Sequence, residues 1–380
     1  MLVAELIFWI SLAGIGYVYA GYPALLWLLV LIRRRPVHAA DITPKVTVIV
    51  AAYNESAHIE RKLSELLAQD YPREGLEIIV ASDGSTDGTD DIVRRRESAG
   101  VKLVRVEGRL GKSAAQNAAV ETAQGDILVF TDATTVIEKS AIRKLVRNFA
   151  DESVGCVGGQ LSYLSGKEDG VGAGGVRYWR YERALKTLES DLNSLIGVSG
   201  CFYGIRKNLY EPIAPNLISD FVIALVTYEK GYRVVYEPSA QVFEETLEDA
   251  KQEFAMRIRV ALRTYDALWV MRSLLNPLRH GLYAIQLLSH KVLRYMVPLM
   301  LIAAFFSNLM LVFEFAYQVT LGIHLSLYVS GFLGFVLRQM GIKSRALSMA
   351  YYFILANVAA IVAYLKFLKG ERIVTWTPVR

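Results

Sequence analysis

Long uncharged apolar runs lie near both ends of the chain. Between them, short apolar segments alternate with polar and mixed segments. The first run, Leu6–Ile32, carries no charge and is followed by three arginines, Arg33–Arg35. An α-helix rises about 1.5 Å per residue, so this run exceeds the roughly 30 Å hydrocarbon core of a bilayer. Residues 1–36 are therefore predicted to form a transmembrane helix with a basic stop.

Further uncharged runs predict about three more spans within residues 295–368, followed by a tail at 369–380. The runs are Tyr295–Phe313, Phe315–Leu337 and Ala346–Leu365. Residues 277–294 mix basic and apolar positions, which is typical of an interfacial amphipathic segment. Because Arg33–Arg35 mark the cytoplasmic side, the region between the runs is expected in the cytoplasm, at the plasma membrane. Four spans would leave the basic tail outside the cell. Either the tail is an exception to the tendency of basic residues to lie on the cytoplasmic side, or one segment is re-entrant.

Residues 43–276 show the alternation of strands and helices that is typical of a mostly parallel, Rossmann-like α/β sheet. Strands are predicted near 46–51, 76–81, 101–106 and 126–131, and helices near 57–69, 87–99, 112–124 and 139–149. In such domains, ligands bind at the carboxyl ends of the strands. Candidate functional residues are therefore expected at this edge of the sheet.

Polar residues follow these predicted strands. Asp83 comes after the second strand, where a carboxylate can accept hydrogen bonds from a base or ribose, and Asp132 follows the fourth. A carboxylate beside a diphosphate helps to hold a divalent cation. The helix that opens at Gly111-Lys112 offers backbone N–H groups and an ammonium to an anion. The pattern predicts a site for a nucleotide diphosphate.

Composition narrows the class of protein. Hydrophobic residues make up 53% of the 380, too many for an ordinary soluble α/β enzyme of this size. The net charge of +5 is modest and clusters at the predicted membrane edges, which favours lipid headgroups over nucleic acid as partners. The only cysteines are Cys156 and Cys201, which argues against a disulfide framework and leaves no zinc-ligand spacing.

Three stretches in this order, Val46–Glu55, Ala81–Thr89 and Val129–Thr135, resemble those of family 2 glycosyltransferases with the GT-A fold. The resemblance is to the membrane-integrated branch that includes cellulose, chitin and hyaluronan synthases and the nodulation chitin-oligosaccharide synthases. It extends over nearly the whole chain. It implies a cytosolic α/β GT-A domain flanked by transmembrane α-helices.

The same resemblance implies roles for individual residues. Asp132 takes the first place of the family's D-x-D motif and Thr134 the second, so Mg2+ or Mn2+ would rely on Asp132, donor phosphates and water. Asp220 falls at the general base, and Arg259 at the arginine of a Q-x-x-R-W motif whose Gln and Trp are absent here. The candidate donor-binding residues are Ala52, Tyr53, Glu55, Asp83, Lys112, Asn117, Asp132 and Arg257, and the candidate acceptor residues are Trp179, Gly200 and Cys201.

These features predict an inverting glycosyltransferase that moves a sugar from a nucleotide-diphosphate donor, by resemblance a UDP-sugar, to a growing polysaccharide or oligosaccharide at the membrane. One alternative is transfer of a single sugar to a polyprenyl- or other lipid-linked acceptor, which the broken Q-x-x-R-W motif favours. Another is a catalytically silent membrane subunit that binds nucleotide-sugar, which the missing second Asp of the D-x-D motif suggests. An NAD-dependent oxidoreductase is disfavoured, because the first strand lacks a glycine fingerprint after it.

Overall fold

The computed structural model describes residues 1–164, 172–245, 250–342 and 344–375. The strands are β1 Val46–Ala52, β2 Leu76–Ser82, β3 Val101–Arg105, β4 Ile127–Asp132, β5 Val136–Ile137, β6 Val154–Leu164, β7 Phe202–Arg206 and β8 Arg233–Glu245. The helices are α1 Leu2–Gly16, α2 Tyr22–Ile32, α3 Ile59–Leu67, α4 Thr89–Arg94, α5 Lys112–Thr122, α6 Ala141–Val146, α7 Gly172–Leu192, α8 Ser219–Glu229, α9 Ala250–Val270, α10 Pro277–Leu287, α11 Arg294–Met310, α12 Phe315–Gln339 and α13 Arg345–Leu368.

The strands form one eight-stranded sheet in the order β3-β2-β1-β4-β7-β6-β8-β5. The first four strands are parallel and coincide with the four predicted ones, so the predicted α/β class is confirmed. Every residue of β1 is buried, as expected for an apolar strand covered on both faces. The register pairs Ala51 with Asp132 and Ala52 with Ser82, which brings the carboxyl ends of β1, β2 and β4 to one edge.

The second half of the sheet breaks the parallel pattern. Strand β7 runs antiparallel to both β4 and β6, while β8 runs parallel to β6. Within the glycine-containing stretch 196–206, only Phe202–Arg206 is a strand. Residues 196–201 form a loop that crosses the same carboxyl edge, and this loop supplies one wall of the site described below.

Among the residues that the structure describes, four helical stretches are long and apolar enough to cross a membrane. They are Leu2–Ile32, Pro277–Met310, Phe315–Gln339 and Ala346–Leu368. The first contains a π-helical turn at Tyr17–Gly21, and a second π-helical turn, Leu288–Leu293, joins α10 to α11. The predicted interfacial segment 277–294 is therefore continuous with the helix that follows it, with Gly281 outside helical geometry.

The end of the described chain returns to the sheet domain. The Tyr265 hydroxyl of α9 donates to the Ala360 carbonyl of α13 at 3.3 Å, and Arg372 lies 3.0 Å from Asp266. A Cβ placed on Gly111 would lie 2.6 Å from the Val374 carbonyl oxygen, so the tail packs directly on the loop before α5. The tail and the sheet domain therefore lie on the same side of the apolar helices.

Candidate active site

A cavity of about 260 Å³ opens at the carboxyl edge of the sheet. Its charged lining consists of Asp132, Asp220, Glu244, Lys112, Arg259 and Arg263, and Gly200 and Cys201 complete part of the wall. Asp132, Asp220 and Arg259 were expected to converge, and they share this cavity together with Lys112. Asp83, expected in the same place, does not line it.

An ion pair joins α5 to β4 inside the cavity. The Lys112 ammonium contacts Asp132 Oδ1 and also donates to the Gly200 carbonyl at 3.3 Å. Lys112 is the first residue of α5 and follows Gly111, whose φ of 97° suits a residue without a side chain. Burial lowers the pKa of Lys112, but the carboxylates of Asp132 and Asp220 together oppose it and the pKa is raised overall. This ammonium therefore stays charged and available to an anionic ligand.

Asp220 stands in the first turn of α8, opposite the loop before β7. A Cβ on Gly200 would lie only 2.8 Å from Asp220 Oδ2, so the absence of a side chain there makes room for this carboxylate. The Oδ1 atom is buried and has no hydrogen-bond partner among the described residues. Burial raises the pKa of Asp220, while Lys112, Lys291 and Arg263 oppose that rise. A buried acceptor atom without a partner is costly unless a ligand supplies the donor.

Helix α9 contributes two arginines to the cavity. Arg259 and Arg263 are four residues apart, which places them on one face of the helix. Burial lowers the pKa of Arg259, against the attraction of Asp132, and lowers the pKa of Arg263 to about 10. Arg263 donates to the Pro215 carbonyl at 3.0 Å and contacts the Leu217 carbonyl. Arg263 was not predicted, although its spacing from Arg259 was a usable signal.

Glu244 and Lys62 were also missed by sequence reasoning. Glu244 lies near the end of β8, accepts a hydrogen bond from the Thr135 hydroxyl at 2.9 Å, and has its pKa raised by burial and then by Asp132. Lys62 lies just behind the cavity, where its ammonium donates to Thr131 Oγ1 at 2.9 Å and to the Thr135 carbonyl at 2.5 Å. Both positions depend on contacts far apart in the sequence, so no local pattern could reveal them.

Asp83 and Asn117 have structural partners instead of a place in the cavity. Asp83 is fully buried, and its carboxylate accepts backbone N–H groups of Leu110 at 2.8 Å and Gly111 at 2.9 Å. The Asn117 amide donates to the Ile213 carbonyl at 2.9 Å and accepts from Ile213 N and the Tyr210 hydroxyl. These side chains hold the loop before α5 and the segment before α8. Their predicted contact with the donor stays a prediction.

The remaining predicted donor residues lie outside the cavity lining. Ala52 is buried and its carbonyl accepts from Asp83 N, and the Tyr53 ring lies 4.3 Å from the Arg109 guanidinium carbon. Glu55 is buried next to the end of β1. Arg257 pairs with Glu253 at 2.8 Å, away from Arg259, so it is not brought into the cavity. Donor contacts of Ala52, Tyr53 and Glu55 stay predictions.

The predicted acceptor residues divide in the same way. Gly200 and Cys201 line the cavity. Trp179 belongs to α7, but its side chain lies outside the part of the chain that the structure describes. The acceptor role of all three residues stays a prediction.

The cavity offers a divalent cation a partial coordination shell. Within the described ranges, no group of three His, Cys, Asp or Glu side chains could hold a metal ion. Asp132 is the carboxylate at the end of β4, and Glu244 is close enough for Asp132 to raise its pKa. Mg2+ and Mn2+ favour carboxylate, phosphate and water oxygens, so these residues fit a cation that arrives with a phosphorylated ligand.

Sequence comparisons relate the chain to known transferases. Residues 47–213 match the family model for glycosyl transferase family 2. A poly-beta-1,6-N-acetyl-D-glucosamine synthase of Staphylococcus aureus is 25% identical over 248 residues, which are 62% of this chain and 58% of the relative. A probable glycosyltransferase of Bacillus subtilis, YdaM, is 27% identical over 233 residues, which are 57% of this chain and 54% of the relative. The alignments thus span little more than half of each relative.

A comparison of structures covers almost the whole chain. The mannosyltransferase PcManGT from Pyrobaculum calidifontis, solved in complex with GDP-Man and Mn2+, superimposes with a TM-score of 0.74 and 23% sequence identity. The superposition includes 96% of this chain and 99% of the mannosyltransferase. The predicted GT-A fold is thereby confirmed.

Proposed function

We propose that this chain is an inverting glycosyltransferase embedded in a membrane, because residues 47–213 match the model for glycosyl transferase family 2 and the chain has the GT-A fold. It transfers a sugar from a nucleotide-diphosphate donor to a hydroxyl of a growing polysaccharide or oligosaccharide. One observation carries this proposal. A buried carboxylate with an unpartnered oxygen, Asp220, shares one cavity with three cations, Lys112, Arg259 and Arg263.

The cavity residues divide into a base and a set of positive charges. Asp220 accepts the proton of the acceptor hydroxyl as its oxygen forms a bond to the anomeric carbon. The bond from that carbon to the nucleotide diphosphate breaks, and the configuration inverts because a single displacement occurs. Lys112, Arg259 and Arg263 stabilise the negative charge that the departing diphosphate gains. Burial raises the pKa of Asp220, which makes it a better base once ionised.

Asp132 would hold a divalent cation together with the donor phosphates and water, with Glu244 beside it. The bound cation would neutralise part of the diphosphate charge. Lys112 contacts Asp132 in the same place, so it competes with a cation for this carboxylate when no donor is present. Cation binding is therefore expected to be weak without donor and stronger with it.

The donor class is proposed from resemblance and relatives. The synthase relative is named for a polymer of N-acetylglucosamine, and the structural neighbour contains GDP-Man. A UDP-sugar is our first choice, and GDP-mannose is the alternative that the neighbour adds. The silent-subunit alternative is disfavoured, since the proposed base and its opposing cations all lie in one cavity.

We place the sheet domain on the cytoplasmic side of the plasma membrane, because Arg33–Arg35 follow the first apolar helix. The tail packs on Gly111 of that domain, so the chain after α9 must cross an even number of times. We therefore assign crossings to α11 and α12 and a re-entrant or surface position to α13. This is the re-entrant alternative to three C-terminal crossings. A C-terminal epitope tag should be reached by antibody only after the cells are permeabilised.

The test is incubation of membranes that contain the protein with labelled UDP-sugars and GDP-mannose, with Mg2+ or Mn2+. Label that enters a long glycan supports polymer synthesis, and label in extractable lipid supports a lipid-linked acceptor. The Asp220→Asn protein provides the blank. Absence of any donor turnover by the wild-type protein would refute the enzymatic proposal.

A further inference from the structure

Two lysines lie beside the cavity on the side of the apolar helices. Lys186 belongs to α7, whose Leu185 and Leu192 pack against Tyr22 and Leu26 of the first apolar helix. Lys291 belongs to the π-helical turn Leu288–Leu293, which leads into α11. The two ammoniums therefore sit where the sheet domain meets the membrane helices.

Both lysines act electrostatically on the cavity. The charge of Lys186 interacts with Asp220 of the cavity wall and with Lys291. Lys291 in turn interacts with Asp220, and its Nζ lies 5.1 Å from the ring centroid of Phe221, the residue after Asp220. The mutual repulsion of two ammoniums has a cost, which an anion between them would remove.

Neither ammonium has an ion pair or hydrogen bond within the described part of the chain; each lies near an aromatic ring. Lys186 Nζ is 5.9 Å from the ring centroid of Tyr236. The acidic neighbour of Lys186 is Glu182, and Glu182 is already paired with Arg294 at 2.5 Å and with His290 at 3.4 Å. Burial lowers the pKa of Lys186, with Glu182 opposing, as expected for an ammonium that lacks a close partner.

We propose that Lys186 and Lys291 form an anion subsite for the phosphate group that joins the acceptor sugar to a membrane lipid. The inference rests on the proposed glycosyl transfer and names its acceptor class. A lipid-linked sugar can leave its chain among the apolar helices, place its phosphate between the two ammoniums, and present a sugar hydroxyl to Asp220. A free neutral glycan carries no charge for these lysines to bind, so their position favours a growing glycan that is linked to a lipid through a phosphate.

The reaction at this subsite is the same displacement. The acceptor hydroxyl oxygen bonds to the anomeric carbon of the donor sugar, its proton goes to Asp220, and the nucleotide diphosphate leaves. The lipid phosphate keeps its bonds throughout, because Lys186 and Lys291 bind it without activating it. They are positioning residues, and their removal should raise the acceptor KM much more than it changes the donor affinity.

Direct binding tests the subsite without relying on turnover. Full-length protein in detergent is titrated with farnesyl phosphate and with farnesol, which has the same chain and no phosphate. We expect the wild-type protein to bind the phosphate at least tenfold more tightly, and Lys186→Gln or Lys291→Gln to lose about tenfold of that affinity. Lys45→Gln, at the opposite edge of the sheet, is the matched control and should bind as the wild type does.

Further arms separate the source of the phosphate and the cause of a loss. Inorganic phosphate should displace farnesyl phosphate weakly, while phosphatidylglycerol micelles should not; equal displacement by phosphatidylglycerol would indicate a general headgroup site and overturn the proposal. Lys186→Arg and Lys291→Arg should restore binding if charge is what matters. Equal affinity for farnesyl phosphate and farnesol would also overturn it. Nucleotide-sugar titration of the same variants should be unchanged, so a failed glycosyl-transfer proposal is recognised separately by absent donor turnover in the wild type.

Discussion

Two buried carboxylates at the same edge of the sheet, Asp83 and Asp220, have opposite surroundings. Burial raises the pKa of both. Asp83 receives the backbone N–H groups of Leu110 and Gly111, whereas Asp220 Oδ1 has no partner within the described residues. Asp83, whose carboxylate has hydrogen-bond partners, holds a loop in place. Asp220 has a free acceptor atom that a ligand can occupy.

The same contrast separates the donor side of the site from the acceptor side. On the donor side, Asn117 is bonded to Ile213 and Tyr210, so its polar atoms are used within the protein. On the acceptor side, Lys186 and Lys291 lack ion pairs within the described residues. A polar group whose hydrogen bonds are all made within the protein fixes the geometry of its neighbours. A buried polar group without a partner can bind a ligand or a reacting group. The bonded groups at Asp83 and Asn117 therefore fix the geometry of the site, whereas the unpartnered groups near Asp220 can bind a ligand.

Replacing the unsatisfied carboxylate should have the largest effect. Asp220→Asn removes the base while keeping the size of the side chain, so transfer should fall by roughly 10²- to 10⁴-fold with donor affinity unchanged. Initial rates with labelled donor and a nucleotide-sugar titration measure the two quantities. Asp83→Asn is the matched comparison and should lower donor affinity and thermal stability instead. Wild-type turnover of Asp220→Asn would show that Asp220 is not the base and would remove the difference from Asp83.

The decrease of activity at low pH tests whether Asp220 is the base. A base works only when ionised, and burial raises the pKa of Asp220 above its usual value. Activity should therefore fall as pH decreases, with a midpoint above the usual range of an aspartate. A profile that stays flat down to the pKa of an ordinary exposed aspartate would argue against a buried base. The measurement is kcat/KM against pH in the wild-type protein.

Loss of the cation at Asp132 should have the next largest effect. Chelation by EDTA and Asp132→Asn should each lower transfer by roughly 10²- to 10³-fold, because the charge on the leaving diphosphate would lose a stabilising group. Added Mg2+ or Mn2+ should rescue the chelated wild type but leave the variant low. Full activity in EDTA would refute a metal requirement and would assign the charge stabilisation to Lys112, Arg259 and Arg263 alone.

Much of this site was predictable from the sequence because its backbone is local. Apolar runs predicted β1, β2 and β4. Neighbouring parallel strands end at the same edge of the sheet, so Asp132 and Lys112 were expected close together. Asp220 and Arg259 followed from motif order rather than from spacing. Four apolar helices were also expected and are present.

The remaining features depend on partners that are distant in the sequence. Asp83 and Asn117 have the residue types of ligand-binding groups, and only the fold shows that Leu110 and Ile213 use them. Glu244 reaches the cavity because the pairing of β8 with β6 extends to Glu245. The return of the tail to Gly111 depends on the packing of α13 against α9, which the hydropathy of α13 cannot reveal.

A smaller effect is expected from filling the space beside Asp220. A Cβ at Gly200 would lie 2.8 Å from Asp220 Oδ2, so Gly200→Ala must displace the carboxylate by a few tenths of an ångström. A displaced base should lower kcat by about tenfold and leave donor affinity unchanged. Gly322→Ala is the control, because its added Cβ would meet no atom within 4 Å beyond its chain neighbours and the adjacent turns of its own helix. Equal rates for both variants would show that the carboxylate position is not restricted by Gly200.

The smallest effect concerns stability and the buried lysine of the donor side. Lys62 has its pKa lowered to about 7, first by burial, against an ordinary value of 10.5. Between these two values the unfolded chain binds more protons than the folded chain, so this group adds stability as pH rises from about 7 to 10. The contribution is on the order of 1 kcal/mol per pH unit.

Lys62→Met removes this titration. As pH rises from about 7 to 10, the unfolding free energy of the wild type should therefore increase relative to that of the variant. The constant part of the difference includes the loss of the bonds to Thr131 and the Thr135 carbonyl, so the slope is the quantity to measure, by thermal unfolding in detergent. Lys45→Met, at an exposed position, should show no such slope. A parallel pH dependence of Lys62→Met and wild type would mean that Lys62 stays charged when buried, and Lys62 would then add a second positive charge near that of Lys112.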